Sequence, residues 1–126
     1  MTTPSRVHID ATTVDEHEDV CYQGVPFTGQ VYDTTADGTV VTEKSYRDGR
    51  EDGSQREWYG DGSPESEYQA EAGAVVGLAL DWHRNGRPAR RQDFDGYGQL
   101  RHREAWDSDG TPQPDQTFDW PAHTGE

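Results

Sequence analysis

Short stretches of alternating apolar and polar residues run along most of the chain, and they predict β-strands. Leu78, Leu80 and Trp82 occupy every second position of one such stretch, with small or polar residues between them. A period of two places the two sets on opposite faces of a strand. Helix has little support, because even the acidic stretch 10–20 contains four β-branched residues. The pattern predicts an all-β protein.

A repeat with a period of 24 residues organises these stretches. Its clearest markers are four turn dipeptides, Asp37-Gly38, Asp61-Gly62, Asn85-Gly86 and Asp109-Gly110. Tryptophan lies four residues before the turn glycine in three copies, and proline lies two residues after it: Trp58, Trp82 and Trp106, then Pro64, Pro88 and Pro112. A fixed period of this length is typical of proteins built from stacked structural units.

Each copy of the repeat predicts one β-hairpin. Asp-Gly and Asn-Gly supply the positive φ angles of a two-residue type I′ turn. The predicted units are residues 27–50, 51–74, 75–98 and 99–120. Because apolar residues are few, we expect a mostly single-layer, twisted antiparallel meander of four hairpin repeats. In such an array the aromatic side chains would stack as a ladder from one repeat to the next.

The two ends of the chain are predicted to differ from the repeats. Residues 1–26 form an acidic arm, with five carboxylates between positions 10 and 19. This arm either adds a strand at residues 6–9 or caps the first hairpin. Residues 121–126 are predicted to be a disordered tail.

The composition of the chain bears on two questions, whether it folds and what kind of partner it binds. Only 29% of the residues are hydrophobic, and 25 acidic against 11 basic residues give a net charge of −14. Such values are typical of disordered chains, but the aromatic content of 10% and the repeat favour a fold. The acidic surplus would repel phosphates, so we expect no nucleic-acid partner, and the lack of a long apolar run excludes a transmembrane helix and a membrane partner. The electrostatic complement is a basic protein or peptide.

Cys21 is the single cysteine, so no intrachain disulfide can form. The N-terminal residues lack the basic start and apolar stretch of a secretory signal, and both observations predict a cytoplasmic protein. Acidic neighbours raise the pKa of a thiol. Cys21 is therefore interpreted as a small buried hydrophobe and not as a nucleophile.

No cofactor, metal or catalytic site is predicted. The five histidines are scattered without a standard ligand spacing. His83 and His102 are expected to come close across neighbouring strands, either as ordinary cross-strand side chains or as ligands. Carboxylate pairs can always be drawn among 25 acids, so they carry little information about catalysis.

An acidic and aromatic set of side chains recurs at the same place in successive repeats. Asp33, Glu57 and Asp81 directly precede the tryptophan position and are expected to form an acidic row on the opposite face, with Tyr59 and His83 on that same face. The row is either a solvated face or a groove for a basic segment. The candidate partner-binding residues are Trp58, Tyr59, Trp82, His83, Trp106, Asp33, Glu57 and Asp81.

Six of the 11 basic residues lie between positions 84 and 103. They are expected to pair with acids of adjacent strands, namely Asp81, Asp93, Asp95 and Glu104. The alternative is contact with an acidic patch on a partner or with a lipid headgroup.

The repeat resembles MORN-repeat-variant proteins, in particular the bacterial YwqK-type antitoxins. The resemblance covers about residues 22–120 and rests on segments 53–62 and 77–86, in which glycine, an aromatic residue and a turn dipeptide recur. Thr34 replaces the aromatic residue in the first copy, and Arg101 replaces a glycine in the last. The resemblance implies the hairpin-array fold and an antitoxin or immunity function.

Together these observations predict a non-catalytic protein-interaction module of the antitoxin or immunity type. It would bind and occlude a basic toxin or partner domain. The alternative is a small enzyme or peptide-binding accessory protein, for example of a biosynthetic cluster, that uses an acidic and aromatic groove on the sheet. A homodimer formed through the edge strands is a further possibility.

Overall fold

The computed structural model describes residues 3–118, and in this range the chain is all-β, as predicted. Its strands are β1 (Arg6–His8), β2 (Thr12–Val14), β3 (Val20–Tyr22), β4 (Val25–Pro26), β5 (Gly29–Thr34), β6 (Val40–Arg47), β7 (Arg50–Trp58), β8 (Pro64–Glu71), β9 (Ala74–Trp82), β10 (Pro88–Phe94), β11 (Leu100–Ala105) and β12 (Gln116–Thr117). One 3-10 turn, Ile9–Ala11, is the only helical element of the described range, so this range contains no helix able to span a bilayer. The predicted tail, 121–126, lies outside it.

Nine strands form one open sheet in the order β1-β5-β6-β7-β8-β9-β10-β11-β12. From β5 to β12 every strand pairs antiparallel with its neighbour in sequence, which confirms the antiparallel meander. The arm adds a strand, because β1 pairs in parallel with β5. The remaining arm strands form a separate sheet, β2-β3-β4.

The hairpin turns differ from the predicted type. Gly62 has a φ of 89°, but Asp61 does not have a positive φ, so the turn is not type I′. The Gly62 N–H donates to the Tyr59 carbonyl at 2.9 Å, and the Tyr59 N–H donates to the Ser63 carbonyl at 2.8 Å. The loop therefore has three residues, 60–62, and is a type I turn followed by a glycine bulge. Asp61 and Gly62 are its second and third residues and not the two central residues of a type I′ turn.

Type I′ turns form two of the three connections between successive hairpins. Asp48 and Gly49 have φ angles of 51° and 87°, and Ala72 and Gly73, 24 residues later, have 48° and 89°. Positive φ at both central residues defines this turn, and its twist suits a two-residue connection.

The tryptophans face prolines and not one another. The register pairs are Trp58 with Pro64, Trp82 with Pro88, and Trp106 with Pro112. Successive tryptophans are two strands apart, about 10 Å, so their rings cannot stack. The ring contacts found in the described range are His8 with Tyr32 and Tyr22 with Phe27, and the expected aromatic ladder is wrong.

The apolar core lies at the β1 end of the sheet. Val7, Phe27 and Val31 form a buried cluster, and the partly buried Val20, Tyr22 and Tyr46 pack against it. Phe27 is only 2% exposed and is the largest buried apolar side chain of the described range.

Beyond this core the sheet buries small and amide side chains. Ala70, Ala79, Gln55 and Gln92 are buried along β7 to β10. The Gln55 Nε2 donates to the Ser45 carbonyl at 2.8 Å, which satisfies one end of a fully buried amide. Buried amides and alanines explain how a chain with so few hydrophobic residues extends its sheet.

Candidate functional site

The three acids of the predicted row do share one face. Through successive register pairs, Asp33 lies opposite Thr42, Thr42 opposite Glu57, Glu57 opposite Ser66, and Ser66 opposite Asp81. Directly opposed residues of neighbouring strands point to the same side of a sheet. A hydroxyl residue separates each acid from the next, so the carboxylates are spaced about 10 Å apart.

Each acid of the row has a basic group nearby. The Arg90 Nε lies 2.9 Å from the Asp81 carboxylate, and the Lys44 Nζ lies 3.7 Å from that of Glu57. The His8 Nε2 lies 3.8 Å from the Asp33 carboxylate. The row is therefore a series of cross-strand pairs and not a bare acidic strip.

The predicted arginine pairs form only in part. Arg90 and Asp81 pair between β10 and β9, and Arg101 on β11 lies 2.8 Å from Asp95, which directly follows β10. Asp93 lies 3.8 Å from Arg91, but both belong to β10, so this pair lies within one strand. Glu104 instead approaches His102, at 3.9 Å.

Tyr59 and His83 make equivalent contacts in successive repeats. The Tyr59 hydroxyl donates to the Trp82 carbonyl at 2.6 Å, and the His83 Nε2 lies 2.8 Å from the Trp106 carbonyl. Both side chains thus cross over the intervening strand to the next repeat. His83 therefore lies at Trp106, four residues and about 13 Å of extended chain from His102, so the expected approach of His83 to His102 is wrong.

An open groove of about 440 Å³ lies on this part of the sheet. Its lining residues are Tyr59, Glu65, Asp81, Trp82, Ala89, Arg90 and Ala105. Three of the eight candidate residues line it: Tyr59, Asp81 and Trp82. The other five, Asp33, Glu57, Trp58, His83 and Trp106, lie outside its lining.

Sequence reasoning missed Glu65 and Arg90. The register shifts by one residue in each hairpin, between Glu57 and Trp58 and again between Pro88 and Arg90. These bulges carry Glu65 and Ala89 into the groove. The two bulges lie 24 residues apart, in keeping with the repeat. This recurrence can be recognised only when the strand pairing is known.

A second, smaller hollow adjoins the groove. It has a volume of about 180 Å³, shares Asp81 and Arg90 with the groove, and is lined further by Tyr68, Gln92 and Phe94 among others. The ion pair therefore stands between two depressions. Burial, followed by the hydrogen bond from its hydroxyl to Glu51, holds the pKa of Tyr68 above its ordinary value, so this hydroxyl stays a donor at neutral pH.

Two guanidinium groups near the groove make different contacts, one with a carboxylate and one with an aromatic ring. Arg90 forms the ion pair with Asp81, and the Arg84 guanidinium carbon lies 4.9 Å from the centre of the Tyr59 ring. A cation over an aromatic face is attracted by the ring quadrupole. The surface therefore combines carboxylate and ring contacts, both of which suit arginine.

Cys21 is buried, with 3% exposure, as predicted. Burial first, and then the charge of Asp15, raise the pKa of its thiol. A protonated, enclosed thiol is a poor nucleophile.

The turn carboxylates are hydrogen-bonded to their own turns. The Ser63 hydroxyl donates to Asp61 at 2.6 Å and the Ser63 N–H donates to it at 2.9 Å, and both bonds lower the pKa of Asp61. Asn85 accepts the equivalent bond from the Arg87 N–H at 2.9 Å. Asparagine therefore fits the same turn without an ionisable group.

We expect Asp61→Asn to reduce the acid sensitivity of folding. A pKa lowered by folding contributes stability above the unfolded pKa of about 4, and this contribution is lost as pH falls through the folded pKa. Urea unfolding at several pH values between about 5 and 2 should show a smaller loss of stability for Asp61→Asn than for the wild type. The reciprocal variant, Asn85→Asp, should show a larger loss with falling pH, from a starting stability lowered by the loss of the hydrogen bond from the Asn85 Nδ2 to the Ser108 carbonyl. Parallel pH profiles for all three proteins would contradict the role of the carboxylate.

Comparison with protein families, curated proteins and solved structures finds no match to this chain.

Proposed function

We propose that this protein is a non-catalytic interaction module that binds a basic protein or peptide through the groove around Asp81 and Arg90. Within this class we propose an antitoxin or immunity role, in the cytoplasm, in which the sheet occludes a basic toxin domain. That narrower role rests on the repeat pattern of segments 53–62 and 77–86 alone, since no family model matches the chain. The main observation that supports the proposal is the excess of acidic over basic residues in the part of the chain that precedes β9.

The surplus of carboxylates lies in the N-terminal part of the described chain. Residues 3–74 contain 16 acidic and five basic residues, whereas residues 75–118 contain seven acidic and six basic residues. Five cations cannot neutralise 16 carboxylates, so residues 3–74 keep a strong negative potential. Such a potential raises the rate of encounter with a basic partner.

The groove lies at the edge of this acidic part. Glu65 belongs to β8, a strand that carries three glutamates and no basic residue, and it lines the groove beside Asp81. Tyr59 and Trp82 add aromatic surface to the same lining. Acidic residues that steer and aromatic residues that contact are the expected parts of a site for an arginine-bearing segment.

Two groups of the groove are engaged within the chain. The Tyr59 proton is donated to the Trp82 carbonyl, and the Asp81 carboxylate is held by Arg90. Glu65 is the groove carboxylate left to contact a ligand. A peptide-binding accessory protein and a small enzyme, the alternatives to the antitoxin role, would both use Glu65 in this groove.

Self-association through the sheet edges has limited support. In the described range the outer strands β1 and β12 have three and two residues. Short edge strands discourage pairing between copies of a chain.

A charge-matched pair of variants tests the proposal. Binding of a labelled peptide that alternates arginine and serine should be measured by stopped-flow anisotropy at several salt concentrations. We expect association to slow steeply with salt, and Glu65→Gln to slow it about two- to fivefold at low salt.

The control variant is Glu71→Gln, which removes the same charge from the same strand outside the groove. It should leave the association rate nearly unchanged, and a citrulline analogue of the peptide should not bind. Equal effects of the two variants would show that only net charge matters and would refute the groove as the site.

A further inference from the structure

One cluster of ligand-type side chains lies outside the groove, at the β11 end of the sheet. His102 and Glu104 are two residues apart on β11 and therefore point to the same face. Asp115 directly precedes β12, whose Thr117 is the register partner of His102. Because these residues are separated in sequence and do not match a standard spacing, the sequence predicts no metal site here.

The ligand atoms of His102, Glu104 and Asp115 all lie within 4.8 Å of one another. The His102 Nε2 is 3.8 Å from the Asp115 carboxylate, and the His102 Nδ1 is 3.9 Å from that of Glu104. Ligands of a tetrahedral zinc ion at about 2.1 Å are about 3.4 Å apart, so the three groups reach that spacing when the Glu104 carboxylate turns from the Nδ1 side of the ring towards Nε2. We propose that His102, Glu104 and Asp115 bind a divalent transition-metal ion, with Zn²⁺ as the best fit.

A further carboxylate supports this assignment. Asp93, the register partner of His102 on β10, lies 3.8 Å from the His102 Nδ1. Histidines that bind metals commonly direct their second ring nitrogen towards a carboxylate, which orients the ring. With Nδ1 facing Asp93, Nε2 is the nitrogen available to the metal beside Asp115.

The ligand set also selects the class of metal. One imidazole and two carboxylates suit zinc and its first-row neighbours, whereas magnesium and calcium prefer oxygen ligands throughout. The carboxylates of Glu104 and Asp115 repel one another, and a divalent cation relieves that repulsion, whereas Asp93 also has Arg91 at 3.8 Å. His102 and Glu104 are half-buried and Asp115 is exposed, so one side of the ion stays open to water.

The test is calorimetric titration of the untagged full chain with Zn²⁺ alone. We expect one dominant site, weakened at least about tenfold by His102→Gln and by Asp115→Asn. His17→Gln is the matched control, because His17 is an exposed histidine 3.6 Å from Glu16 and distant from the cluster, and it should bind as the wild type does.

Thermal unfolding provides a second measurement. Zn²⁺ should raise the melting temperature of the wild type by mass action, and this rise should disappear in Asp115→Asn, whose exposed position keeps the variant folded. The proposal is wrong if Zn²⁺ does not bind, or if both variants bind it as tightly as His17→Gln. Equal affinity for Mg²⁺ would overturn the role of the imidazole.

Discussion

Replacing Phe27 with alanine is expected to lower the free energy of unfolding by about 3 to 5 kcal/mol. Phe27 is 2% exposed and lies between Val7 of the added strand and Val31 of β5. Its removal deletes buried apolar surface and leaves a cavity that its neighbours fill only in part. Small domains have only about 5 to 15 kcal/mol of stability, so this one side chain carries a large share.

Urea unfolding followed by circular dichroism measures this effect. Phe27→Leu, which keeps most of the volume, should cost less than the alanine variant and provides a folded reference if Phe27→Ala is too unstable. Val25→Ala, at a position 64% exposed, should change the free energy of unfolding by no more than about 0.5 kcal/mol. A loss below about 1 kcal/mol for Phe27→Ala would show that the core does not depend on this ring.

Gly49→Ala is expected to be nearly as damaging, at about 2 to 5 kcal/mol, for two added reasons. Gly49 has a φ of 87°, a conformation that alanine adopts at a cost of about 1 to 2 kcal/mol. A Cβ there would also lie 2.6 Å from the Asp19 Cβ and 3.1 Å from the Val20 carbonyl oxygen. This steric clash would push the β2-β3-β4 sheet away from the hairpins.

The repeat supplies a matched control at Gly73. Its φ is 89°, and its N–H donates to the Glu51 carbonyl at 2.8 Å, as the Gly49 N–H does to the Phe27 carbonyl at 2.8 Å. Nothing lies within 4 Å of a Cβ at Gly73, so Gly73→Ala should show the conformational cost alone. Equal losses for the two variants, measured by urea unfolding, would mean that contact with Asp19 and Val20 contributes nothing.

The strands β5 to β12 and their order could be read from the sequence because the repeat marks them independently of hydrophobicity, whereas the β2-β3-β4 sheet, outside the repeat, was not predicted. The turn type could not, since Asp61-Gly62 suits both a two-residue type I′ turn and a three-residue turn with a glycine bulge. The two alternatives differ in the hydrogen bonds of Tyr59 and Ser63, and only strand pairing decides between them.

The candidate site was predictable only in part for a related reason. Alternation along one strand correctly placed Asp33, Glu57 and Asp81 on one face. The basic side chain beside each of them depends on which residues lie opposite one another across strands, and a bulge shifts that register. The same limit hid Glu65 in the groove. The proximity of His102 and Asp115 could not be predicted from the sequence. It depends on the register in which β12 pairs with β11.

The placement of the apolar core at the β1 end makes the length of this protein adjustable. From β5 to β12 each strand pairs only with its immediate neighbours, so a hairpin inserted at the turn after Ala72 would leave Phe27 and its contacts unchanged. Each added unit would lengthen the sheet by two strands, about 10 Å. Hairpins can therefore be gained or lost in steps of 24 residues without redesigning the core around Phe27.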